Sequence, residues 1–263
     1  MVTDIERLRR LEEVLASVGV TSAAFEARQM LASAQSEAQL ADWVARRQKG
    51  EPLQYLLGEW EFWGLPFKVG EGVLIPQPDT EILVEQALEA VKDIAAPKIL
   101  DLCAGSGCVG VALAHELPNA TVTAVELYDD AFGYLERNIR LNSVGVTAVK
   151  ADVLSEPPES LRTEWDLIVS NPPYISPDER EQLSAEVLFE PEQALFAEEN
   201  GLKFYRAIAE YWLPLLKEGG TLALEIGYRQ AEAVRGILFP FETEVHTDYG
   251  GNDRVITLVK KSI

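Results

Sequence analysis

The chain has 263 residues, 47% of them apolar, and a formal net charge of -20. That length and apolar fraction suffice for one large domain, or a large domain with a small partner. No apolar run reaches the roughly 18 residues of a membrane span, and Met1-Val2-Thr3-Asp4-Ile5-Glu6-Arg7 lacks the apolar stretch of a secretory signal. The charge repels phosphate backbones unless a local basic face overrides it. The basic groups present, such as Arg46-Arg47-Gln48-Lys49 and Lys260-Lys261, are small. A protein partner with a basic surface fits better than duplex DNA.

Cys103 and Cys108 share one glycine loop and make no disulfide framework. His115 and His246 are too few and too scattered for a zinc site, so no metal is expected. A reduced, cytosolic setting follows.

Residues 1 to about 50 read as helices only. Thr3-Asp4-Ile5-Glu6 is a capping-box pattern that opens a helix with Leu8, Leu11, Val14 and Leu15 on one face. Ser36 can cap a further helix that carries Leu40, Trp43 and Val44 and stops at Gly50. Next, Glu59-Trp60-Glu61-Phe62-Trp63 alternates, Gly64 interrupts, and Leu65-Pro66-Phe67-Lys68-Val69 resumes, as in a hairpin. Leu74-Ile75-Pro76-Gln77-Pro78-Asp79-Thr80-Glu81 leads into a helix, with Asp79 or Thr80 as its N-cap and Leu83, Val84, Ala87 and Leu88 on its buried side. The aromatics of this stretch suit either core packing or a wall facing substrate.

From residue 97 strands and helices alternate. Strands are expected at 98–102, 120–126, 146–150, 165–170, 220–226, 242–246 and 253–259, and helices near 106–116, 129–142, 201–216 and 228–238. This alternation implies an α/β fold, a mostly parallel sheet with helices on both faces. Ligands in such sheets bind beyond the carboxyl ends of the strands. The organisation expected is a helical domain over 1–58, a hairpin linker over 59–80 and an α/β domain over 81–263.

Two loops carry the chemistry. Lys98-Ile99-Leu100-Asp101-Leu102 runs into Cys103-Ala104-Gly105-Ser106-Gly107 and then a helix. Glycines let backbone approach a ligand closely, and the helix start supplies N–H donors. Glu126, ending the next strand, is placed for a ribose diol. Gly105-Ser106-Gly107-Cys108-Val109-Gly110 also matches the dinucleotide fingerprint G-x-G-x-x-G. Against a nicotinamide cofactor, Asp101 would oppose a pyrophosphate, and no residue set for hydride transfer is evident. S-adenosylmethionine (SAM) has no phosphate and carries an amino group and a ribose, so it suits the loop better.

The second loop is Asn171-Pro172-Pro173-Tyr174, after the apolar run Trp165-Asp166-Leu167-Ile168-Val169-Ser170. Two prolines stiffen the turn and remove two N–H donors. The Asn171 carbonyl and a neighbouring backbone carbonyl can then both accept from one planar NH2 group, with Tyr174 as a wall. A plain strand-to-loop turn is the alternative reading. With the glycine loop upstream, the turn reads as a methyl-transfer site. Catalytic roles are expected for Asn171, Pro172 and Tyr174, and substrate contact for Asn171, Pro172, Pro173 and Tyr174.

With these motifs in order, the chain resembles the PrmC/HemK family, the protein-(glutamine-N5) methyltransferases that modify peptide-chain release factors. The resemblance runs from about Glu51 to Val259. It rests on Glu51-Pro52-Leu53-Gln54-Tyr55-Leu56-Leu57-Gly58, Ile75-Pro76-Gln77-Pro78-Asp79-Thr80-Glu81, the Asp101–Gly107 loop, Asn171-Pro172-Pro173-Tyr174, Phe189-Glu190-Pro191 and Asp253-Arg254-Val255. It implies a seven-stranded Rossmann-like methyltransferase sheet with a small N-terminal helical domain and a linking hairpin. It further implies SAM-dependent methylation of the glutamine amide in a Gly-Gly-Gln tripeptide, leaving S-adenosylhomocysteine.

Carried over by motif, Asp101 and Cys103, Ala104, Gly105, Ser106 and Gly107 would bind the methionine part of SAM. Glu126 would bind the ribose, where the family often has Asp. Asp152 and Val153 would flank the adenine, and Asn171 would touch cofactor and substrate. Release factors are the partner implied, with a monomer, no nucleic acid and no membrane expected. Gln77 stands where the family usually has Arg, which leaves the role of that charge open. Glu225, at another strand end, is open between a proton-accepting and a structural role. Rival readings are a ribosomal-protein glutamine methyltransferase, a nucleic-acid adenine N6-methyltransferase, and a SAM-binding protein with an inactive site.

Overall fold

The computed structural model describes residues 4–261. Thr3, and with it the expected capping box, lies outside them. Helices α1 (Asp4–Ser17), α2 (Ala23–Ser33), α3 (Glu37–Arg47) and α4 (Leu53–Leu57) come first. Leu11, Leu15, Ala27, Met30, Trp43 and Leu53 form their common core. Val14, expected on the buried face of α1, is instead exposed. Ser36 Oγ accepts the Gln39 N–H at 3.1 Å and so caps α3, an interaction that typically stabilises by about 1 kcal/mol.

Strands β1 (Glu59–Phe62) and β2 (Leu65–Lys68) pair as an antiparallel hairpin. Asn138, on α7 (Asp129–Asn142), ties this hairpin to the glycine loop. Its Oδ1 accepts the Lys68 N–H at 2.7 Å, and its Nδ2 donates to Ser106 O at 2.9 Å.

Next come α5 (Glu81–Val91), β3 (Lys98–Leu102), α6 (Cys108–Glu116), β4 (Thr121–Glu126), β5 (Val146–Lys150), β6 (Trp165–Ser170), β7 (Leu216–Glu225), β8 (Thr243–Thr247) and β9 (Asp253–Val259), with short helical turns between β6 and β7 and a helix over Ala231–Leu238 between β7 and β8. The sheet has seven strands in the order β5-β4-β3-β6-β7-β9-β8. The first five are mutually parallel, and β9 is antiparallel to β7 and to β8. After β3 the chain moves to one side through β4 and later to the other through β6. That reversal opens a crevice at the carboxyl ends of β3, β4 and β6, where the two informative loops sit.

Three local expectations are corrected. The helix expected over 201–216 is α-helical only over Lys203–Ala207, with a π turn at Ile208–Trp212 and a 3-10 turn at Leu213–Leu215. Pro214 supplies no N–H for a continuing helix, and the Trp212 indole donates to Val153 O at 2.9 Å. The helix expected from 106 starts at Cys108, because Gly105 and Gly107 take φ of 55° and 81°. Thr80 does not cap α5: Pro78–Thr80 form a 3-10 turn and the Thr80 hydroxyl bonds elsewhere.

Candidate active site

A cavity of about 1110 Å³, partly open to solvent, lies at the carboxyl edge of the sheet. The glycine loop forms its floor. Ala104 N–H bonds to Val125 O at 2.9 Å and Gly107 N–H to Ala104 O at 2.7 Å, which holds the loop against β4. A side chain on Gly105 would stand in the open space above the loop, since nothing lies within 4 Å of a Cβ there. Asp101, Cys103, Ala104, Gly105, Ser106, Glu126, Asp152, Val153 and Asn171 all line the cavity. Gly107 does not: it faces Leu135 and starts α6.

Each acidic residue of the lining is held by backbone. Asp101 Oδ2 accepts the Gly110 N–H at 2.9 Å. Burial pushes its carboxyl up to about 7, with that N–H pulling the other way and Glu126 adding repulsion. Glu126 Oε1 accepts from Leu127 and Tyr128 N–H, both at 2.8 Å, and Oε2 accepts from Gly105 N–H at 2.9 Å. One lone pair on Oε2 is left for a diol. Asp152 accepts the Leu154 N–H at 2.9 Å and so braces its own turn.

Among the described residues no Lys, Arg or His lines the cavity, whereas three carboxylates do. The donor set therefore suits a cationic, phosphate-free ligand with a diol, and SAM fits it. A pyrophosphate would meet Asp101 with no cation to balance it. Burial also raises the Cys103 thiol well above its usual range and Cys108 up to about 12, so neither is a ready nucleophile.

Across the floor, Asn171 Nδ2 donates to Thr80 Oγ1 at 3.1 Å. Its Oδ1 is left to accept from whatever occupies the cavity. Pro173 joins Asn171 in the lining, while Pro172 is buried outside it. Tyr174 also stands outside, and its hydroxyl donates to Glu225 Oε1 at 3.3 Å. Gln230 Nε2 donates to Tyr174 O at 2.9 Å and pins the turn from behind. Ser170 Oγ donates to Leu102 O at 2.7 Å and joins the ends of β6 and β3.

The opposite wall comes from Ile75, Pro76 and Gln77 together with Pro191, Gln193 and Ala194. Gln77 Nε2 donates to Ile75 O at 3.1 Å, so an uncharged amide holds the place of the family's Arg. Arg254, from the Asp253-Arg254-Val255 motif, bridges Asp79 at 3.2 Å and Asp248 at 3.0 Å. Sequence marks Thr80 only as a candidate helix cap inside the Ile75–Glu81 motif, not as a partner of Asn171, and carries no signal for Gln230.

A glycine loop, a strand-end acid and an Asn-Pro-Pro-Tyr turn on this sheet define a SAM-dependent methyltransferase. The chain matches the family models of the methyltransferase small domain over residues 77–202 and of the PrmC N-terminal domain over residues 30–58. It is 45% identical to a release factor glutamine methyltransferase of Fusobacterium nucleatum subsp. nucleatum, over 84% of this chain and 63% of the relative's length. To the release factor glutamine methyltransferase of Salmonella typhimurium it is 41% identical, over 82% and 78% of the two lengths. Among solved structures it is similar to the hMettl16 catalytic domain in complex with a MAT2A 3'UTR hairpin, with a TM-score of 0.61, 17% identity and coverage of 84% and 83%, a likeness of fold alone. The chain belongs to the release factor glutamine methyltransferase family.

Proposed function

We propose that this protein transfers a methyl group from SAM to the side-chain amide nitrogen of the glutamine in the Gly-Gly-Gln tripeptide of peptide-chain release factors. The observation that carries the reading is Asn171, whose Nδ2 is engaged by Thr80 and whose Oδ1 is left facing a carboxylate-lined cavity. When bound, SAM supplies an electrophilic methyl group on a positively charged sulfur.

The rest falls to the chain's own residues. An amide nitrogen is a poor nucleophile because its lone pair is delocalised into the carbonyl. Asn171 Oδ1 and the Pro172 carbonyl accept the two N–H bonds of the substrate amide and orient its nitrogen. Such positioning supplies roughly 7–11 kcal/mol in favourable cases. The same acceptors stabilise the positive charge that grows on the amide during transfer. The nitrogen–carbon bond forms as the carbon–sulfur bond breaks, and one amide proton leaves to water. Pro173 closes the cavity beside Asn171, and Tyr174, outside the cavity, braces the turn with its hydroxyl on Glu225. Asp101 receives the ammonium of the methionine part, and Glu126 the ribose hydroxyls.

The partner in this reading is the release factor itself, met by a cytoplasmic monomer that does not touch nucleic acid. The -20 charge supports a protein partner over nucleic acid. The test is mass spectrometry of purified release factors, ribosomal proteins and nucleic acid after incubation with the protein and isotopically labelled SAM. Label on the Gly-Gly-Gln glutamine is the expected result. Label only on a ribosomal protein or on adenine overturns it.

A further inference from the structure

Thr80 is 1% exposed and accepts a hydrogen bond from Asn171, the residue on which the proposed methyl transfer turns. A threonine hydroxyl has one proton and two lone pairs, so the proton of Thr80 must go to an acceptor other than Asn171 Nδ2. Glu225, at the end of β7, is 2% exposed, and its Oε2 is buried without a hydrogen-bond partner. The Thr80 hydroxyl lies close enough to Glu225 to favour its ionised form.

We propose that Thr80 is a positioning residue for Asn171, and that Glu225 sets which way the Asn171 amide faces by fixing the direction of the Thr80 hydroxyl. The inference rests on the methyltransferase reading given above. An ionised carboxylate only accepts, so it draws the Thr80 proton to itself. A lone pair of Thr80 then faces Asn171, which must answer with Nδ2. Oδ1 is thereby left for the substrate amide. A protonated Glu225 reverses the chain: it donates to Thr80, Thr80 donates to Asn171 Oδ1, and Nδ2 turns to the cavity. Donor then faces donor, and the substrate NH2 is turned away.

The charged and titratable groups around Glu225 are Arg254 and Asp79, with the Tyr174 hydroxyl on Oε1, the Tyr205 hydroxyl on the Glu225 backbone carbonyl, and the Cys108 thiol. Burial outweighs Thr80, Arg254 and Tyr174 and lifts the Glu225 carboxyl to about 7. The relay therefore switches near neutral pH.

The test compares wild type with Thr80→Val, Thr80→Ser and Glu225→Gln, using SAM and a purified release factor as substrates. Thr80→Val, which keeps the shape and removes the hydroxyl, is expected to lower kcat by about 10- to 100-fold, with the affinity for SAM unchanged by calorimetry. Thr80→Ser recovers most of that loss. Wild-type kcat rises through about pH 7, and Glu225→Gln flattens that rise. A second readout needs no substrate: in protein carrying 15N-asparagine, one Asn171 Nδ2 proton is protected from exchange, and Thr80→Val removes the protection. The Asn171→Asp variant assigns the signal. Unchanged kcat in Thr80→Val overturns the proposal, and so does a loss of kcat that Thr80→Ser does not rescue. If wild type methylates no release factor, the proposed function fails, and the exchange measurement still decides whether Thr80 holds Asn171.

Discussion

Glu190 Oε2 accepts the backbone N–H of Ile75 at 2.7 Å, across 115 positions of chain. This bond joins the two halves of the cavity wall, since Ile75, Pro76 and Gln77 line one side of it and Pro191, Gln193 and Ala194 the other. Replacing Glu190 by Ala orphans a buried N–H, at a cost of about 1–3 kcal/mol. The unfolding free energy measured in urea is expected to fall by that amount and KM for the release factor to rise. A variant with wild-type KM would mean that the wall does not shape the substrate site.

Three buried carboxyls, Asp101, Glu190 and Glu225, are each pushed up to about 7, chiefly by burial. Their folded values exceed the unfolded ones, so the folded state binds more protons between about pH 4 and 7. Their contribution to stability is complete below the unfolded values and is lost as pH rises through 7. Asp248 has the opposite sign. Its carboxyl is lowered to about 2 by the Asn252 N–H and Arg254, and the stability it adds is lost only as pH falls from about 4 toward 2. Urea unfolding of the ligand-free protein from pH 4.5 to 8 should show stability falling up to about pH 7 and then levelling off, and Glu190→Gln should reduce the slope. A rising curve would mean that these groups are not buried in solution.

Asn171→Ala and Glu126→Ala should separate chemistry from cofactor binding. The first removes the acceptor for the substrate amide but leaves the glycine loop whole. Methyl transfer is expected to fall by about 10²–10³-fold, with SAM affinity within a few-fold of wild type by calorimetry. The second strips three backbone N–H groups of their acceptor, so SAM affinity should fall first. Equal losses of SAM affinity in both variants would contradict the division.

Arg47 is 5% exposed and makes a two-point ion pair with Glu26, at 2.6 and 3.0 Å, while also reaching Glu186. It thereby connects α2 and α3 to the segment that continues into the cavity wall. Arg47→Met leaves Glu26 buried and unpaired, which typically costs about 3–5 kcal/mol. Adding Glu26→Gln should return part of that in a double-mutant cycle measured by chemical unfolding. Additive losses would mean that the pair is not coupled.

Much of the strand pattern was legible because a buried parallel strand is a continuous apolar run and glycine or proline ends it. Lys98–Leu102 and Trp165–Ser170, both of that kind, stand where expected, as do the edge strand Val146–Lys150 and the antiparallel strand Asp253–Val259. The stretch 171–200 was opaque apart from its motifs. It folds as short 3-10 and α turns closed by backbone bonds from Ile175 N–H to Leu195 O and from Ala197 N–H to Ile175 O, and no period marks such a segment. Glu199 and Asn200, both at φ 58°, add left-handed backbone that propensity does not announce.

At the site, local sequence sufficed wherever one loop makes one surface. Cys103 to Ser106, with Asp101 before them and Glu126 at the next strand end, line one cavity. The sequence by itself determined the sheet's strands, the glycine loop and the stiff Asn-Pro-Pro-Tyr turn, because each depends on residues within one turn of chain. Only the tertiary structure decided that Asn171 meets Thr80 from 91 positions away, that Tyr174 turns to Glu225 and that Glu190 closes the wall. Those pairings arise when packing brings separate segments into one low-dielectric place, where each buried polar group must find whichever partner the fold puts beside it.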